Sequence, residues 1–158
     1  MYIETTVISY LTARPARDVV VAGHQQSTRD WWETASRRFE LVVSELVRQE
    51  AGIGDQDAAR ARFSILDSLA TLDASAGSDG LSETLVRTAA VPHTAIRDAA
   101  HIAIAAANGV EYLVTWNFRH IANAVARPLI ESACRTAGFE PPTICTPEEL
   151  MEDIDSEG

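Results

Sequence analysis

Apolar residues fall into four short uninterrupted runs, YIET at 2–5, LVVS at 41–44, YLVT at 112–115 and TICT at 143–146, with TLDA at 71–74 a weaker fifth. Runs this short, rich in Val, Ile and Thr and lacking strict alternation, predict strands covered on both faces. Between them the spacing lengthens to three and four residues, which predicts helices over 19–39, 45–51, 55–70, 80–90, 94–107 and 118–136. Strands that alternate with helices require crossover connections. The expected fold class is therefore α/β, a three-layer α/β/α arrangement around a mainly parallel sheet of about four or five short strands.

Local punctuation fits these boundaries. Asp55 is placed to cap the helix that follows it, and Gly109 to stop the helix DAAHIAIAAAN. Pro128 is expected to interrupt the 118–136 segment, and Gly138 with Pro141 and Pro142 to end it. No repeat or linker divides the chain, so residues 1–150 are read as one domain, with an acidic, frayed tail over 151–158.

The parallel-sheet reading changes the meaning of four polar positions, because strand C-termini and the starts of the following helices share one edge, where ligands bind. Glu4 ends the first apolar run. In the helix ELVRQEAG, Leu46, Val47 and Glu50 share a stripe that ends in a carboxylate. Asp98 opens a stripe continued by Ile102 and Ala105, and Asn117 lies just past YLVT. Three carboxylates and an amide from distant stretches would meet at that edge. Such charges repel unless cations lie between them, and hard oxygen donors select Mg²⁺ or Mn²⁺, which can neutralise a phosphoryl oxygen and activate water.

Each residue also has a plainer role: a sheet-end salt bridge for Glu4, a solvated helix face for Glu50, a helix cap for Asp98 and a turn for Asn117. The functional reading rests on the coincidence of all four. His101, one turn after Asp98, can touch the site but reads first as a packing residue, while His24, His93 and His120 lack ligand spacing. Trp31 and Trp32 are expected to pack, and Trp116 to cover the sheet edge. Neither a GxSxG elbow nor a GxxxxGK[ST] loop occurs.

Charge complicates a phosphodiester substrate. The net charge is −10, which opposes binding to a phosphate backbone. It is uneven, however: residues 1–62 carry 8 Arg against 9 acids, and residues 63–158 carry 5 Arg against 14. Arg14, Arg17, Arg37 and Arg38 are the candidates for a basic lip that contacts RNA. Hydrophobic residues at 46% predict a packed core, and no run reaches the ~20 apolar residues of a membrane span. With only Cys134 and Cys145, a reducing, cytoplasmic setting is expected.

Taken in order, IETTVISYL at 3–11, VVSELVRQEAG at 42–52, DAAHIAIAAANGVEYL at 98–113, TWNFRHIAN at 115–123 and TPEEL at 146–150 resemble the PIN domain family, in particular the VapC-like toxins of toxin–antitoxin systems. The resemblance implies that Glu4, Glu50, Asp98 and Asn117 form a catalytic quartet holding Mg²⁺ or Mn²⁺, with Thr5, Thr6 and Thr115 orienting them. It further implies an endoribonuclease, a homodimer and inhibition by a VapB-like antitoxin. Two positions depart from the family pattern. Glu4 stands where Asp is usual, adding roughly 1.2–1.5 Å of reach, and Asn117 stands where Asp is frequent, which removes a charge. A catalytically degenerate protein that binds RNA or a protein partner is the alternative.

Overall fold

The computed structural model describes residues 1–151, so apart from Met151 the acidic tail lies outside the described residues. Five strands form one sheet: β1 (Tyr2–Ile3), β2 (Val42–Ser44), β3 (Ala70–Leu72), β4 (Tyr112–Val114) and β5 (Thr143–Cys145). All pairings are parallel and the spatial order is β3-β2-β1-β4-β5. Helices α1 (Thr5–Thr12), α2 (Val19–Arg38), α3 (Glu45–Ala51) and α4 (Gln56–Leu66) link the first three strands, and α5 (Ala76–Arg87), α6 (Ile96–Ala107) and α7 (Ala126–Thr136) lead to and between the last two.

That order fixes the layers. The chain winds outward from β1 to β3, then returns past β1 to β4, and right-handed crossovers in opposite directions put their helices on opposite faces. Accordingly α1 packs on α2, α3 and α4, while α5 packs on α6 and α7. The result is a three-layer α/β/α sandwich. Its reversal point lies between β1 and β4, where an open parallel sheet splays its loops and leaves a crevice.

Burial follows the sequence pattern. Tyr2, Ile3, Val42, Val43, Leu113, Val114, Ile144 and Cys145 are buried along the strands, joined by Val7, Ile8, Trp31, Leu85, Ile102 and Ile130 from the helices. Trp31 packs edge-on against half-buried Trp32. Both cysteines are buried. Burial pushes the Cys134 thiol up to about 11 and the Cys145 thiol up to about 12. Neither thiol is expected to react with a thiol-directed reagent at neutral pH in the native protein, and both should react once it is unfolded; rapid native labelling would contradict this burial.

Several boundaries differ from expectation for identifiable reasons. The first strand stops at Ile3, because Glu4 caps a helix that starts at Thr5 and buries Val7 and Ile8; this packing outweighs the β-branched composition of TTVIS. The helix expected over 118–136 begins only at Ala126. Asn117 accepts from the Arg119 and His120 amides, and Asn123 from those of Val125 and Ala126, so both asparagines hold turns. Pro128 falls in the first turn of α7, where its missing N–H is tolerated, and does not interrupt the helix. The helix expected over 80–90 starts earlier, at Ala76, behind a Ser75–Ser78 capping box. Asp55 caps α4 through the Ala58 amide, and Gly109, at φ 66°, ends α6 in the left-handed region that suits glycine.

Candidate metal centre at the sheet edge

The site begins where β1 gives way to α1. Glu4 is the N-cap of α1, and its Oε2 accepts three hydrogen bonds: from the Thr6 amide at 3.1 Å, from the Thr6 hydroxyl, and from Thr115 Oγ1 at 2.8 Å. Thr115 directly follows β4, so the carboxylate bridges the two strands on either side of the reversal point. It is buried, 3% exposed. The added methylene of Glu relative to Asp is taken up by a side chain that turns back onto its own helix. Because all three bonds fall on Oε2, Oε1 is left without a hydrogen-bond partner among the described residues.

The threonine hydroxyls also lock the exit of β4. Thr6 Oγ1 accepts from the Trp116 amide at 2.9 Å, and Thr115 Oγ1 from the Asn117 amide at 2.9 Å. Each hydroxyl thus donates to Glu4 while accepting a backbone N–H, which fixes its direction.

Glu50 arrives from α3. Ser44 at the end of β2 caps this helix, whose sixth residue reaches back to the exit of β1, so α3 lies across the edge of the sheet. Glu50 Oε1 accepts from Thr5 Oγ1 at 2.6 Å and lies 2.6 Å from His101 Nε2. Its Oε2 faces Arg97 at 3.9 Å. Each of the two carboxylates therefore has one oxygen fixed by protein donors and a second that can serve a ligand.

His101 is buried, 1% exposed, and both its nitrogens are engaged. Nδ1 lies 2.7 Å from the Tyr2 hydroxyl, which in turn lies 2.7 Å from Ser44 Oγ. With Ser44 donating to Tyr2, Tyr2 to Nδ1 and the Nε2 proton to Glu50, every member of this buried chain is satisfied. Donor atoms of Glu4, Glu50 and His101 lie within 4.8 Å of one another. In this arrangement the histidine orients Glu50, since coordinating an ion would cost it one of two short hydrogen bonds. The sequence reading gave His101 a packing role first; its spacing from Asp98 was the signal that connected it to the site.

Asp98 stands in the first turn of α6, half-buried and without a hydrogen bond to any described residue. It lines an open cleft of about 400 Å³ together with Glu50, Arg97 and His120. It belongs to the same concavity as Glu50 but not to the tight Glu4, Glu50, His101 group. The structure does not give Asn117 a ligand's geometry: its oxygen is occupied by two backbone amides of the turn it forms.

The arginines divide between the two ends of the 20-residue α2, about 30 Å long. Arg14 and Arg17 precede its start. Arg37 and Arg38 close its last turn beside Phe39, whose ring packs on Tyr112 at the beginning of β4. They therefore occupy the edge opposite the site, and a single lip of all four is corrected to a pair. Arg97, which no sequence pattern singles out, is the basic residue that faces Glu50.

Burial raises the proton affinity of the Glu50 carboxyl, but the hydrogen bond and attraction of the His101 N–H, the Thr5 hydroxyl and Arg97 together outweigh it, so its pKa lies below the ordinary 4.5. A carboxyl depressed on folding adds stability that is present above its unfolded pKa and lost as pH falls through the lower folded value. Acid unfolding of the wild type should show this loss from about pH 4.5 downward. Glu50→Gln should flatten that part of the profile, and an unchanged profile would contradict the assigned contacts.

Two buried or half-buried carboxylates with unspent oxygens, a third unpaired carboxylate that shares a cleft with Glu50, and hydroxyls that fix the first two form a donor set suited to a hard divalent cation. Compared with known proteins, the chain matches no family model and no curated protein.

Proposed function

We propose that this edge is a Mg²⁺ or Mn²⁺ site and that the protein is a metal-dependent endoribonuclease of PIN-domain type, VapC-like in its biology. The observation that carries the reading is the pair of glutamates, Glu4 and Glu50, each held through one oxygen at the reversal point of a parallel sheet with the other oxygen available. In this reading Glu4, Glu50 and Asp98 hold the ion, while Thr5, Thr6, Thr115 and His101 set the direction of the two glutamates. A divalent ion here supplies positive charge for the scissile phosphate and makes water a better nucleophile. Arg97, exposed beside Glu50, attracts the substrate phosphate. A cytoplasmic location, a homodimer and a VapB-like antitoxin partner belong to the same proposal.

A second reading has its own support. The Asn117 oxygen serves a turn, which leaves the cluster with three carboxylates and no fourth ligand from the β4 exit. A non-catalytic protein that binds RNA or a protein partner on the same scaffold would follow. Incubating purified protein with single-stranded RNA, and with DNA of matched sequence, in Mn²⁺ and in EDTA separates the two. The nuclease reading expects RNA cleavage that EDTA stops and that a folded Asp98→Ala variant lacks. Unchanged metal-dependent cleavage by Asp98→Ala would overturn the assignment of the site, and no cleavage in any metal would favour the binding protein.

A further inference from the structure

Near the candidate metal centre, three rings, those of Tyr10, His24 and Phe118, meet around Trp116, the second residue after β4. The indole lies between Tyr10 of α1, stacked at 6.1 Å, and His24 of α2, stacked at 4.2 Å and 16°. Phe118 stands edge-on to Trp116 at 6.0 Å and tilted against His24 at 5.8 Å. Trp116 is 4% exposed and fixed at both ends: its amide donates to Thr6 and its indole N–H to Thr28 at 2.8 Å. Phe118, in contrast, is 48% exposed. The same Thr6 hydroxyl donates to Glu4, so one residue couples the ring cluster to the candidate metal centre.

A single half-exposed phenylalanine is ordinary on a protein surface. Here the ring is the outer member of a braced aromatic group, with arginines close by along the chain. Arg119 is the next residue in the chain. Arg14 and Arg17 lie on the connection that packs on α2, through the Ala16 amide donating to Gln25, the neighbour of His24. An exposed, braced ring on a surface that also carries arginines suits an unpaired nucleobase with its phosphates, since every base has a π face while a duplex hides it.

We infer that Phe118, backed by His24 and Trp116, is a stacking platform for an unpaired base of a single-stranded RNA lying across the acidic cleft. The inference rests on the nuclease reading for the kind of ligand, but its test does not depend on metal or on cleavage. Fluorescence anisotropy in EDTA would follow binding of a labelled RNA of about twelve nucleotides, the length that a stacking groove spans. The same strand annealed to its complement and a strand of equal length lacking bases serve as controls.

Wild type should bind the single strand more tightly than either control. Phe118→Ala should weaken that binding about 5- to 100-fold, and Phe118→Tyr should restore most of it. Phe118-dependent binding without any cleavage would support the platform and count against the nuclease. Equal affinity of Phe118→Ala and wild type would overturn the platform even if RNA is cut, as would equal affinity for the baseless strand. Self-association lost in Phe118→Ala, with RNA affinity unchanged, would assign the rings to a protein contact and also overturn it.

Discussion

Glu50→Gln is expected to abolish metal-dependent RNA cleavage, by at least about 100-fold, while the protein stays folded. The amide is nearly the same shape as the carboxylate, and its oxygen can still accept from Thr5 and from His101, so the orienting bonds survive. What disappears is the negative charge on the oxygen that faces the cleft. Partners that merely orient a metal ligand cost about 10- to 100-fold on removal, and the ligand itself should cost more. Glu50→Asp tests position separately from charge: it keeps the charge but falls roughly 1.2–1.5 Å short of Thr5 and His101, and should lose most activity too. A fully active Glu50→Gln variant would remove Glu50 from the chemistry.

His101→Ala should produce the largest combined effect on stability and on the site. It opens a cavity in the core and removes one of the two short partners of both the Tyr2 hydroxyl and Glu50 Oε1, leaving only Ser44 and Thr5. Losses of this kind cost about 2–4 kcal/mol, or a fall in Tm of roughly 5–15 °C for a chain of this size. The pKa of Glu50 should move upward, because burial would no longer be opposed by the imidazole. Mn²⁺ affinity should drop about 10- to 100-fold through the looser carboxylate. Thermal denaturation and metal titration of the same variant read the two consequences; an unchanged Tm would contradict the buried chain from Ser44 to Glu50.

Where the fold was legible in the sequence, one rule dominated each segment. The runs around Val42–Val43 and Leu113–Val114 are buried on both faces and so are uninterrupted, and Asp55 and Gly109 act as isolated caps. Where two rules competed, the sequence misled. TTVIS has the composition of a strand but the capping residue of a helix, and tertiary packing of Val7 and Ile8 decided for the helix. Residues 118–125 have helical spacing, yet Asn117 and Asn123 bind nearby amides and hold them in turns.

The site was legible to the same extent. Winding brings Glu4, Glu50 and the start of α6 to one edge, which the order of apolar runs already implied. The chain Ser44, Tyr2, His101, Glu50 was not readable, because it joins residues 42 to 99 positions apart through hydrogen bonds that no local pattern encodes. Arg37 and Arg38 were misplaced because a cluster in sequence says nothing about which end of a long helix faces the cleft.

Calorimetric titration of Mn²⁺ into the wild type and into a folded Glu50→Gln, Asp98→Asn double variant is the most direct test of the central claim, that oxygens at this edge together hold a divalent ion. Saturable uptake by the wild type, weakened at least about 100-fold in the double variant, is the predicted result. Equal uptake by both proteins, or none by the wild type, would contradict it.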